Sequence, residues 1–141
     1  MKNRKVGYRD QSCRVATALI GVLILGGCTA PTPPAILLTV QAMPYQMAAK
    51  VEGTVTLSPS GCYQLEGKPL VWPAGSVLSG QNVRLPDGRA VAPGDRISGG
   101  GGFLTASEAW QLLDAGSQEH ASTCLGAGAA EIAVAQAVPA S

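Results

Sequence analysis

The sequence predicts a small, mainly β domain: an antiparallel barrel or sandwich carrying one short helix. Three observations carry that prediction. Eighteen glycines and ten prolines together outnumber the charged residues, which favours many turns and short elements over a helical bundle. Turn signals recur about every 8–12 residues along the second half of the chain, the spacing of sandwich and barrel strands. Apolar residues make up 46% of the 141, enough for one packed core, although aromatics are only 4%.

Taken in order, residues 51–57 alternate into a first strand, closed by Ser58-Pro59-Ser60-Gly61. Residues 62–65 form a second, turned by Glu66-Gly67 into a third over residues 69–72, which Pro73-Ala74-Gly75 ends. The clearest local signal is the hairpin at residues 83–91. Pro86 presets the first corner of a type I turn, Asp87 tolerates the second, and Gly88 takes the left-handed position of a bulge. Val83 and Leu85 are expected to point inward and Arg84 outward. Ala92-Pro93-Gly94-Asp95 has the form of a type II turn, with Gly94 supplying the positive φ, and residues 96–98 begin another short strand.

One helix interrupts the strands. Thr105-Ala106-Ser107-Glu108 has the spacing of a capping box, in which Thr105 and Glu108 satisfy each other's orphan backbone donors. Ala106, Trp110 and Leu113 recur at helical spacing and Gly116 is the expected stop. Residues 131–138 read as a closing strand with Ile132, Val134 and Val138 on one face. Gln136 falls on that face too, and the intervening alanines suit a helix equally well. Residues 43–49 and 121–130 have no clean period and read as loops.

The N-terminus has a different character. Lys2, Arg4, Lys5, Arg9 and Arg14 stand against Asp10 alone, and residues 15–25 are then almost wholly apolar. Eleven residues are too few for a spanning helix, which needs about 20, but they suit the apolar core of a secretory signal. Leu25-Gly26-Gly27-Cys28 follows, and these four residues resemble the lipobox of bacterial lipoproteins. That resemblance implies a diacylglyceryl group on the Cys28 thiol, a cut before it and acylation of the new amino terminus. Residues 1–27 are then a discarded signal peptide, and two or three acyl chains make release from the membrane slow. Thr29, by its likeness to enterobacterial sorting signals, implies the outer membrane where there are two. Pro31, Pro33 and Pro34 make residues 28–35 a short, stiff tether, which leaves residues 36–141 for one β-rich domain.

Beyond the tether, five basic residues face eight acids, a net charge of −3 hidden inside the +1 of the whole chain. That part has no basic patch to hold phosphates, so nucleic acid is not an expected partner.

Of the four cysteines, Cys13 lies in the signal segment and Cys28 takes the lipid. Cys62 and Cys124 remain, in an oxidising compartment, with one pairing available to them. A disulfide is therefore expected, the alternative being two free buried thiols. No C-x-x-C spacing suggests a redox-active pair.

The chain offers few residues for catalysis. Gly99, Gly100, Gly101 and Gly102 look like a phosphate cradle until Phe103 and Leu104 follow where a P-loop needs lysine and a hydroxyl residue. They read instead as a flexible turn before the helix, or as backbone that a partner approaches closely. His120, the only histidine, lies in a polar stretch over residues 117–123 that reads as a solvated loop. A zinc site needs three or four ligands, so neither metal nor cofactor is expected. Glu52, Glu66, Asp87, Asp95 and Glu108 supply carboxylate pairs of the kind any acidic domain offers. Trp72 is either a core anchor or a stacking platform for sugar. With the four glycines it makes the candidate binding surface.

Cys62, Val71-Trp72-Pro73, Asp87-Gly88, Gly94-Asp95, the glycine run and Cys124 together also resemble a group of small envelope proteins. The likeness implies a β-module with one disulfide and carries no activity. The sequence thus leads to a lipid-anchored envelope protein, a non-enzymatic structural or binding accessory of a protein or glycan partner. The alternative is a small envelope hydrolase or an inhibitor of one.

Overall fold

The computed structural model describes residues 31–126 and 131–138, within one compact unit over Pro31–Ser141. The expected signal segment over residues 1–27, and Cys28 and Thr29, lie outside the described residues. The mainly β class holds. Five strands close a barrel: β1 (Ala49–Leu57), β2 (Tyr63–Leu65), β3 (Lys68–Val71), β7 (Arg96–Leu104) and β8 (Ile132–Ala137), in the order β1-β2-β3-β8-β7. Between β3 and β7 the chain makes a second, three-stranded sheet from β4 (Val77–Ser79), β5 (Asn82–Arg84) and β6 (Ala90–Val91). β1 is long enough to serve two neighbours, pairing β7 over Ala49–Thr54 and β2 over Val55–Leu57.

The barrel is antiparallel except at one seam, where β3 and β8 run parallel with Leu70 opposite Ala133 and Val71 opposite Val134. That seam explains the composition of β8. Ala133 and Ala135 pack with the barrel interior, while Ile132 and Val134 pack with the helices outside, so the strand is buried on both faces. Val138 joins the interior group rather than the face of Ile132 and Val134. Gln136 sits at the rim, where its Oε1 accepts from the Met47 amide and its Nε2 donates to the Tyr45 carbonyl at 3.2 Å. A polar residue in an apolar strand is thereby satisfied.

The hairpin forms between β5 and β6 as its residues dictate. Leu85 N–H donates to the Arg89 carbonyl at 2.8 Å, Gly88 takes φ +88°, and Val83 and Leu85 are buried while Arg84 is exposed. Gly94 takes φ +101° in the turn before β7, closed by Asp95 N–H to the Ala92 carbonyl.

Three expectations are corrected. The glycine run is not a turn: β7 continues through Gly99, Gly100, Gly101 and Gly102 to Leu104. The reason is close approach, since a Cβ on Gly99 would stand 1.8 Å from the Ala137 carbonyl oxygen and one on Gly101 2.0 Å from that of Val134. The chain also has two helices, not one. α1 (Ala106–Leu112) starts on the expected capping box, but α2 (Ala115–Leu125) occupies residues that read as loop, with Gly116 inside it rather than stopping α1. Asp114 caps α2 by accepting from the Ser117 amide at 2.8 Å, and the buried stripe is Ser117, Ala121, Cys124 and Leu125. Finally, the helical spacing of Ala106, Trp110 and Leu113 does not mark one buried face: α1 buries Ala109, its C-cap Leu113 is buried, and Trp110 is 40% exposed.

Both helices pack on the outside of the barrel. Residues 36–40 run beneath them, bridging Ile36 to Cys62, Thr39 to Trp72 and Val40 to Leu113. The Cys62–Cys124 disulfide ties the start of β2 to the last turn of α2, with Cα atoms 5.5 Å apart.

Candidate functional site

Loops converge at one mouth of the barrel. The end of β3 delivers Pro73, the β5–β6 turn delivers Pro86 and Asp87, and β8 delivers Gln136. Gln136 in turn holds the segment carrying Tyr45 and Gln46. Between them lie two adjoining depressions of about 480 and 260 Å³ that share Gln46, Pro73, Pro86 and Gln136. The larger continues over Leu85, Asp87, Gly100 and Val138, and the smaller over Met43 and Tyr45. Tyr45 is 57% exposed at this mouth. Pro73 and Pro86 line both depressions, Tyr45 lines the smaller and the Asp87 carboxylate the larger.

The groove is close to neutral. Asp87 accepts from the Arg89 amide at 3.0 Å and from its guanidinium Nε at 2.9 Å, and this partner holds its carboxyl below the ordinary carboxylate range. The same guanidinium reaches the Val138 carbonyl, tying the hairpin to the end of β8.

The other carboxylates weighed for acid–base work are equally engaged. Glu52, with its pKa lowered to about 2, lies between Lys50 and Arg96. Glu66 accepts from the Thr54 amide, Asp95 from the Ala92 amide and Glu108 from Thr105. His120 is exposed on α2 and does not line the groove. Among the described residues no group of three or more His, Cys, Asp or Glu is placed to hold a metal.

The structure separates the expected surface residues. Trp72 is a core residue, wholly buried, its ring 5.5 Å from that of Tyr63 in an edge-on contact, and it cannot serve as a platform for sugar. Gly99, Gly101 and Gly102 are approached closely by the protein itself, at Ala137, Val134 and Met47. Gly100 alone of the four lines the groove, and a Cβ there would meet nothing within 4 Å. Tyr45, Gln46, Pro73, Pro86 and Gln136 escape sequence reading because they come from separate segments. An exposed tyrosine in an aperiodic loop was the available signal.

A second depression, of about 410 Å³, lies between the helices and is lined by Ala106, Trp110, Gln111, Ser122, Leu125 and their neighbours. None of the described residues that line it ionises. No family model, curated protein or solved structure matches the chain.

Proposed function

We propose that this protein is a lipid-anchored binding accessory of the bacterial envelope, fastened through Cys28 and holding an extended glycan or protein segment in the groove at the barrel mouth. The lipobox at Leu25-Gly26-Gly27-Cys28 supports the anchor. The observation that carries the binding reading is the exposed Tyr45 lining one depression together with Gln46, Pro73 and Pro86. A hydrolase needs an acid and a base facing the scissile bond. Asp87, the carboxylate lining the groove, is already engaged by Arg89, which favours binding over turnover.

Two measurements test this. Wild-type protein expressed in a lipoprotein-processing host is expected to incorporate labelled fatty acid, and Cys28→Ser to lose the label and accumulate as a larger precursor. Isotope-labelled protein titrated with soluble peptidoglycan fragments is expected to shift the resonances of Tyr45, Gln46, Gly100 and Gln136. Retention of label by the serine variant overturns the anchor, and cleavage of the fragments replaces the accessory with an enzyme.

A further inference from the structure

We infer that the Trp110 groove between α1 and α2 rests on the lipid surface to which Cys28 fastens the chain, an inference that depends on the anchor proposed above. It begins with where the tether joins the domain. The Gly61 Cα, at φ +84°, lies so close to the incoming chain that a Cβ there would stand 2.2 Å from the Pro34 carbonyl oxygen. One residue pair further on, Ile36 N–H donates to the Gly61 carbonyl at 2.8 Å. Pro34 is thus pinned beside Cys62. Cys62 is bonded to Cys124, and Cys124 belongs to the α2 turn whose Ser122 and Leu125 wall the groove. The tether exit is thus linked to the groove through the buried disulfide, whose Cα atoms are 5.5 Å apart, and through Leu125, the neighbour of Cys124.

Chain length then sets the reach. Six residue steps lead from Cys28 to Pro34, and even fully extended they span only about 20 Å. The prolines among them resist coiling back but add no length. The region around the disulfide is therefore held within one short tether of the bilayer.

What the groove presents suits that neighbour. Trp110 is 40% exposed and stands over a floor that includes Leu125, itself buried. Indole rings favour the headgroup region of bilayers, where the ring meets acyl carbon and the N–H meets water. Glu108 is engaged at the N-terminus of α1 with Thr105 and does not line the groove, so among the described residues no lining charge has to be desolvated against lipid.

The chain supplies its own reporter. It has two tryptophans, of which Trp72 is wholly buried and Trp110 exposed. The lipidated protein is reconstituted into phosphatidylethanolamine–phosphatidylglycerol vesicles, with and without bromine high on the acyl chains, and floated on a density gradient. Floating wild-type protein is expected to lose the emission of Trp110 on brominated vesicles and to resist quenching by aqueous iodide. Trp110→Phe is expected to float equally well while its remaining emission, from Trp72, ignores the bromine. Emission that bromine leaves unchanged and iodide quenches overturns the inference. Emission that neither quenches assigns the groove to a second copy or another protein, and overturns it too. Protein that fails to float removes the anchor and this inference together, which distinguishes that failure from the others.

Discussion

Asp114 and Thr39, 75 positions apart, hold each other through two hydrogen bonds. The Thr39 hydroxyl donates to the Asp114 carboxylate, and the Asp114 amide donates to the Thr39 carbonyl at 3.0 Å. Ser117 completes the clasp by accepting the Thr39 amide proton at 2.8 Å. One aspartate thus caps α2 and fastens the segment over residues 36–40. Asp114→Ala removes the cap and the side-chain bond to Thr39 and leaves the backbone bond in place. A lost cap costs about 0.5–2 kcal/mol and a lost buried partner about 1 kcal/mol more. We expect a destabilisation of about 2 kcal/mol, read as a lower urea midpoint, and a change within error would dissolve the clasp as a source of stability.

The same residue sets part of the acid response. Burial pushes the Asp114 carboxyl up, but hydrogen bonds from Thr39, Ser117 and Gly116 outweigh it and hold the group below its ordinary value. A carboxyl depressed in the folded state stabilises above its unfolded pKa, and that contribution disappears as pH falls through the folded value. Wild-type stability should therefore fall as pH drops below about 4, the range of free aspartate. Asp114→Asn keeps a good capping group but cannot titrate. Its midpoint is expected to lose less between pH 7 and pH 3 than that of the wild type, and parallel losses would exclude Asp114 from the acid response. The exposed pairs of Glu52 and Asp87 titrate in the same direction but are screened by solvent.

The disulfide closes a loop of 62 positions. On the chain-entropy model such a closure stabilises by about 4 kcal/mol, a large part of a small domain's total. Reduction, or the double change Cys62→Ser with Cys124→Ser, should lower the melting temperature markedly. The native protein should resist alkylation until reduced. Two thiols that alkylate readily in the folded, unreduced protein would contradict the bond.

Neighbouring glycines are expected to respond very differently to one methyl group. Gly101→Ala drives its Cβ into the Val134 carbonyl across the β7–β8 bulge and should cost about 3 kcal/mol or more. Gly100→Ala meets open space and should shift the midpoint by less than about 0.5 kcal/mol. Gly102→Ala should lie between them, because its obstacle is the movable Met47 thioether. In the β5–β6 hairpin, Gly88→Val has room but the wrong φ, for a cost of about 1 kcal/mol or more. Equal midpoints for Gly100→Ala and Gly101→Ala would argue against the packing of β8 on β7.

These positions also show what a sequence can disclose. The hairpin at Pro86-Asp87-Gly88 and the capping box of Thr105 and Glu108 were legible because each depends on neighbours at fixed offsets. The glycine run was not, since its cause is the backbone of β8 about thirty-five positions on. α2 escaped because its buried stripe of Ser117, Ala121, Cys124 and Leu125 is too small and polar to show a period. Its fastenings, Thr39 and Cys62, lie far upstream. The groove was hidden for a related reason. Its lining comes from Pro73 and Pro86, and its aromatic from Tyr45, which the Gln136 amide holds in place from the far end of the chain.

The parallel seam bears on the order in which the molecule can be completed. β8 lies between β3 and β7 and follows both in the chain, so both strands keep an open edge until residues 132–137 arrive. Joining Leu70 to Ala133 brings together positions far apart along the polypeptide, which slows folding. A nascent chain halted before residue 132 is left with two sticky borders and no means of sealing them.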